Sequence, residues 1–176
     1  IIRGGGAGQE EDWVGHVQNR PKDKPFFFWF AASDAHRDWS KSEDAPVYGN
    51  DEIVVPPYLV DTEVTRKDLT GYYHEVSRYD HFIGLVTAEL KKQGVLDNTL
   101  IVIAADNGRP FPRCKSRLYD SGIKTPWVVR YPPLIQMSSV SKSLVSVIDL
   151  SATCLELAGI NQPECIQGQS FVPILK

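Results

Sequence analysis

No stretch of this chain is apolar over the roughly 20 residues that a membrane-spanning helix requires, so no membrane span is expected. Cysteine is scarce. Cys114, Cys154 and Cys165 cannot all pair with one another, their spacing matches no zinc site, and the redox compartment is unreadable from them. There is no excess of positive charge: the net charge is -3 and no nucleic-acid partner is expected. Gly4-Gly5-Gly6-Ala7-Gly8 is followed by no Gly-Lys-Ser/Thr, which excludes a phosphate loop and leaves a flexible turn. No internal repeat and no low-complexity tail is present, which excludes solenoids and arrays. No signal peptide is visible, a silence without weight in a chain that begins at Ile1. What remains is ordinary for a globular domain: 42% hydrophobic and 23% charged residues over 176 positions, enough for one domain with a sizeable core.

The most informative segment runs from Thr99 to Pro110. An apolar run, Leu100 to Ala105, ends abruptly in Asp106-Asn107-Gly108. The run reads as a strand buried on both faces. Asp and Asn carry oxygen ligands suited to a hard divalent cation, and Gly108 lets the chain turn away. Open α/β sheets place their ligands just past the carboxyl ends of strands. Asn-Gly is equally a plain turn signal, so a simple strand-to-turn junction stands beside the metal reading. Beyond it, Arg109, Arg113, Lys115, Arg117, Lys124 and Arg130 face one acid, Asp120, a local charge of +5. A basic loop beside a carboxylate–amide pair suits an anionic substrate held near a metal, or else is a solvated loop.

Elsewhere the aromatic run Pro25 to Ala32 predicts a buried strand. Residues 33–61 form a long irregular connection that carries His36. Leu69, Tyr72, Val76, Tyr79, Ile83, Val86 and Leu90 recur at alternating spacings of three and four, one apolar face of a long helix. Gly94 ends it, and Lys91 and Lys92 suit the negative end of its dipole. Gly71 and Gly84 each weaken it by about 1 kcal/mol relative to Ala. His74 and His81 read as surface or packing residues of that helix. A tight turn at Asp97-Asn98, a strand over 125–131 closed by Pro132-Pro133, and a helix over 148–158 stopped by Gly159 complete the order. Strands alternating with helices predict an α/β fold with helices on the faces of a sheet.

At this point a family resemblance is carried by named residues. Gly94 to Gly108 resembles the type I sulfatases of the alkaline phosphatase superfamily, and Lys115-Ser116-Arg117-Leu118-Tyr119-Asp120-Ser121-Gly122-Ile123-Lys124-Thr125-Pro126 is similar to the segment that follows there. Pro25 to Phe30, leading to Asp34-Ala35-His36-Arg37, resembles the earlier strand and its histidine. Val147 to Ile160 and Gly168-Gln169-Ser170-Phe171 resemble the end of the catalytic domain, and order and spacing hold over residues 25–175. Asp106-Asn107-Gly108-Arg109-Pro110-Phe111-Pro112 and Val55-Pro56-Pro57-Tyr58 most resemble the heparan N-sulfatase (sulfamidase) branch.

The resemblance implies an α/β fold: part of an alkaline-phosphatase/sulfatase-like sheet with helices on both faces. It implies hydrolysis of sulfate groups from a sulfated saccharide, N-sulfoglucosamine of heparan sulfate being the first choice. It assigns Asp106 and Asn107 to a calcium ion, and His36 and Lys115 to catalysis and sulfate binding. Ser33 and Ala35 depart from the family's pattern around His36, which occupies the second histidine position of His-x-x-His. The family's nucleophile is formylglycine, made from a Cys or Ser in Cys/Ser-x-Pro/Ala-x-Arg. In Cys114-Lys115-Ser116-Arg117, Ser116 stands in the Pro/Ala position, and the motif follows the Asp-Asn pair instead of preceding it. Residues 1–176 are therefore expected to be the second half of a catalytic domain, with the formylglycine and further acidic ligands in an absent N-terminal half. A periplasmic, secreted or lysosomal location follows from the family alone, and the oligomeric state is not legible. Two other functions fit the same residues: a phosphoesterase of the superfamily, or a non-catalytic polyanion-binding module.

Overall fold

The computed structural model describes residues 8–176; Gly4 to Ala7 of the glycine run lie outside them. The chain divides into two compact units. One comprises residues up to Leu96 together with Asn107–Lys124, the other Asp97–Asp106 together with Thr125–Lys176.

The first unit is organised by helices. A 3-10 turn, Glu10–Asp12, leads into α1, Trp13–Asn19, and the unit is dominated by the 30-residue α2, Glu63–Lys92. Thr62 caps α2, its hydroxyl oxygen accepting from the Thr65 N–H at 3.3 Å. At the other end Lys91 and Lys92 occupy the last turn, as expected from the sequence. There Gly94 and Val95 donate to the carbonyls of Lys91 and Leu90, the paired hydrogen bonds of a Schellman stop. The expected apolar face is present but displaced. Leu69 and Leu90 are buried, whereas Val76 is 40% exposed and Phe82, His74 and Glu75 take buried places. His74 is thus a packing residue: its Nδ1–H donates to the Pro46 carbonyl at 2.9 Å and its Nε2 accepts from the Ser42 N–H at 3.0 Å. Such buried polar groups persist because both ring nitrogens are satisfied.

Two apolar clusters hold this unit together. Trp13 stacks on Phe30 at 5.0 Å and meets Tyr79 and Phe82 edge-on. Ile53, Leu69, Phe111 and Cys114 form the other, with Trp39, Tyr58 and Tyr72 against it. The aromatic run 25–32 corrects the sequence expectation. It is extended but belongs to no strand among the described residues. Phe26, Phe28 and Phe30 are half-buried in a ladder of rings, while Phe27 is 70% and Trp29 66% exposed. Alternate side chains of an extended segment point oppositely, so one face is covered and the other is not.

The second unit contains the sheet, a single antiparallel pair. β1, Ile101–Ala104, pairs with β2, Trp127–Arg130, in the register Ile101 to Arg130 and Ala104 to Trp127. The strand expected to be buried on both faces is half-buried along its length. Leu96–Asn98 is a 3-10 turn, and the Asp97 carboxylate accepts from Arg130. A one-turn α3, Asp120–Ile123, belongs to the first unit, and α4, Asp149–Leu157, to the second. The Thr153 hydroxyl on α4 donates to the Asp149 carbonyl and accepts from the Phe171 N–H, fixing Phe171 edge-on to Trp127 at 5.6 Å. Among the described residues no helix is long and apolar enough to cross a membrane.

Candidate active site

The segment 107–119 of the first unit is held by its own backbone. Phe111 and Lys115 both donate to the Arg109 carbonyl, and Cys114 and Arg117 donate to the carbonyls of Phe111 and Cys114. Gly108 contributes differently from the sequence expectation. It is required for a close approach, not for a sharp turn: its N–H donates to the Gly122 carbonyl at 2.9 Å, and a Cβ there would stand 2.1 Å from the Ser121 carbonyl oxygen.

Asn107 is half-buried, and its amide nitrogen donates to the Gly108 carbonyl at 2.8 Å. That hydrogen bond settles the orientation of the amide and leaves Oδ1 as its outward, ligand-type atom. Asp106, in the second unit, directly precedes it in the chain; it is exposed, and no hydrogen bond or ion pair engages its carboxylate among the described residues. A carboxylate and an amide oxygen are the donor chemistry of a calcium site, so the pair fits that ion. Two such ligands are fewer than calcium takes, and no group of three or more His, Cys, Asp or Glu able to hold a metal occurs among the described residues.

Lys115 is exposed on this segment, and its ammonium carries no side-chain hydrogen bond or ion pair among the described residues. The other cations of the basic run are unequal. Arg109 donates to the Tyr58 hydroxyl at 2.5 Å, and the Arg113 guanidinium lies 4.5 Å from the centre of the Tyr119 ring. Arg130 belongs to β2 in the other unit, so the run is not one loop.

Cys114, the cysteine of the apparent nucleophile motif, is fully buried. Its Sγ lies 3.3 Å from the Tyr58 hydroxyl. Burial alone would raise its pKa, but hydrogen bonds from Tyr58, Ser121 and Arg109 outweigh burial and hold the thiol below its ordinary value. Tyr58 is raised, by burial first and by its bond to Cys114 second. An unexposed sulfur cannot meet a saccharide.

His36 is exposed on the 33–61 connection. Its Nδ1–H donates to the Arg37 carbonyl at 2.6 Å, which fixes the tautomer and leaves Nε2 available. The structure adds residues whose role was not legible in the sequence. Arg37 donates through Nε to the Pro110 carbonyl at 3.2 Å, and through both terminal nitrogens to Asp68 on α2. Trp39 donates its indole N–H to the same carboxylate at 2.7 Å. Burial would raise the Asp68 pKa, but donation from Arg37 and Trp39 prevails and lowers it. Arg37 thus joins the segment of His36 to the segment of Asn107 and Lys115. The sequence signal was slight: an arginine beside the histidine, and an acid preceding the apolar Leu69.

Comparison with known proteins completes the description of the site. The sulfatase family model matches residues 11–160. An ulvan-active sulfatase of Formosa agariphila is 33% identical over 144 residues, covering 81% of this chain and 24% of that protein. Human N-sulphoglucosamine sulphohydrolase is 30% identical over 190 residues, covering 88% of this chain and 37% of that protein. A solved structure reported with the metabolism of multiple glycosaminoglycans by Bacteroides thetaiotaomicron superposes with a TM-score of 0.78 at 24% identity, over 94% of this chain and 38% of that one; it supports the fold. This chain spans between a quarter and two fifths of the length of these proteins.

Proposed function

Because this chain belongs to the sulfatase family, we propose that it forms part of an enzyme that hydrolyses sulfate groups on a sulfated saccharide, N-sulfoglucosamine of a heparan-type glycosaminoglycan being the first choice. The observation that carries the proposal is the extent of the family match: residues 11–160 contain His36, Asp106, Asn107 and Lys115 together. The choice of N-sulfoglucosamine rests on the likeness to the human sulphohydrolase of that name and on the run Asp106 to Pro112.

In this mechanism Asp106 and Asn107 supply two oxygen ligands to calcium. When bound, calcium would offset the charge on the sulfate oxygens. By the family resemblance, the formylglycine would come from a part of the full-length protein outside these 176 residues. Lys115 presents, on an exposed segment, an ammonium that no side chain among the described residues engages, suited to a sulfate oxygen or the leaving group. His36, with its Nδ1–H committed to the Arg37 carbonyl, presents Nε2, which in the imidazolium form would donate to a sulfate oxygen or protonate the departing nitrogen or oxygen. Holding fixed cations where charge develops is the largest contribution a protein makes to such a step.

The test is sulfate release from N-sulfated and from 6-O-sulfated glucosamine by a full-length protein containing this segment. Faster release from the N-sulfate is expected. A clear preference for the 6-O-sulfate would leave the sulfatase assignment standing and eliminate the sulfamidase one.

A further inference from the structure

We propose that Arg37 and Asp68 are positioning residues, which set the His36 imidazole against the segment carrying Asn107 and Lys115. The proposal rests on the assignment of His36 and Lys115 to the sulfatase reaction.

One guanidinium joins three pieces of the first unit. Its Nη1 donates to Asp68 Oδ1 at 2.8 Å and its Nη2 donates to Oδ2, so the carboxylate on the second turn of α2 is gripped on both oxygens. Its Nε donates to the Pro110 carbonyl at 3.2 Å, three residues after Asn107 and five before Lys115. Its guanidinium carbon also lies against both rings, 4.9 Å from the centre of Trp39 and 5.1 Å from that of Phe111. The fork of an arginine is rigid and planar, so three donors used at once fix both its place and its tilt. His36 is the preceding residue and its ring is held by the Arg37 carbonyl at 2.6 Å. Locating Arg37 therefore locates the acceptor that orients the ring.

A second contact guards the first. The Trp39 N–H donates to Asp68 Oδ1, so Asp68 Oδ1 serves Arg37 and Trp39 at once. Trp39 lies where a side chain on residue 71 would be: a Cβ there would stand 2.5 Å from its ring. Gly71 thus admits the indole that steadies the carboxylate.

A purely stabilising role is a weak account of this arrangement. Arg37 is 41% and Asp68 28% exposed, and ion pairs of that exposure contribute little to folding. Bidentate geometry, an added indole donor and a backbone acceptor on another loop are features that hold direction, as supporting contacts around reactive groups do.

The experiment uses a full-length protein containing this segment, with kcat, KM and the thermal midpoint measured for Asp68→Asn, Asp68→Glu, His36→Ala and the Asp68→Asn/His36→Ala pair. Asp68→Asn is expected to lower kcat by about 10-fold to 10²-fold, the scale of misplacement by about an ångström, with KM and the midpoint little changed. Asp68→Glu should recover part of the rate. In the His36→Ala background Asp68→Asn should cost almost nothing further. Full activity in Asp68→Asn, or losses that multiply in the pair, would overturn the positioning role while leaving the sulfatase assignment intact. An unaffected His36→Ala would overturn the role of His36, and this inference with it. Should Asp68→Asn fail to fold, Trp39→Phe removes the indole donor while keeping an aromatic ring at that place. It is expected to give a smaller loss confined to kcat, and no loss would count against the proposal.

Discussion

At the scale of single residues, Asp106 and Asn107 offer unequal things to a cation. The carboxylate brings charge; the amide brings a neutral oxygen whose direction is set by the hydrogen bond to Gly108. In a full-length protein, Asp106→Ala should remove the metal and nearly all turnover, and Asn107→Ala should remove less of both. Metal content measured beside rate decides it, and a wild-type metal content in Asp106→Ala would sink the assignment. The cations divide in the same way. Among the described residues the Lys115 ammonium has no side-chain hydrogen bond or ion pair, whereas Arg113 is occupied by the Tyr119 ring. Lys115→Ala is expected to slow turnover by about 10²–10³, the scale of losing one charge-stabilising contact, and His36→Ala by about 10² with a changed pH profile. Arg113→Ala and Arg117→Ala should cost much less. Equal losses at all four positions would mean diffuse attraction in place of aimed groups.

At the scale of elements, α2 holds two glycines that the sequence reads alike and the structure separates. A Cβ at Gly71 would collide with the Trp39 ring, while one at Gly84 would meet nothing within 4 Å. Gly84→Ala should therefore stabilise by roughly 0.5–1 kcal/mol through helix propensity. Gly71→Ala should be net destabilising, with overpacking of about 1–3 kcal/mol outweighing the same propensity gain. Thermal melts of the two variants check this, and stabilisation by both would mean that Trp39 yields freely. The clamp on α2 also has a pH signature. Asp68 titrates lower in the folded chain than its ordinary value near 4. Its contribution is fully present above that ordinary value and is lost as pH falls through the lowered folded one. The stability difference between wild type and Asp68→Asn, small at this exposure, should be flat down to about pH 5 and shrink below about pH 4; a difference that shrank near pH 6 would point to another group.

These elements show what was legible in the sequence. The span of α2 and its stop at Gly94 were, because helical period and a C-terminal glycine are local signals. So was the strand just before Asp106, though not its antiparallel partner or its half-burial, since pairing joins residues far apart in sequence. The Phe26–Phe30 run misled because an unbroken aromatic run looks the same whether both faces are covered or one. In the proposed site, Asp106 and Asn107 stood out as oxygen donors at the end of a strand, whereas roles for His36 and Lys115 came only through family likeness. Arg37, Asp68 and Trp39 were not legible, because a clamp between a loop, a helix and a second loop leaves no spacing pattern.

At the scale of the whole molecule, the 176 residues span only part of the length of their relatives, and the proposed pair Asp106 and Asn107 would be two of the six to eight ligands that calcium takes. The chain by itself is therefore expected to bind calcium weakly and to hydrolyse no sulfate ester. Turnover of an aryl sulfate by the purified 176-residue chain would overturn that. The most direct test of the central claim compares sulfate and phosphate esters of one alcohol as substrates for a full-length protein containing this segment, wild type against Asp106→Ala and Lys115→Ala. Release of sulfate well above phosphate, lost in Asp106→Ala and cut by about 10²–10³ in Lys115→Ala, is the predicted result. Preferential release of phosphate, or sulfate release indifferent to both substitutions, would contradict it.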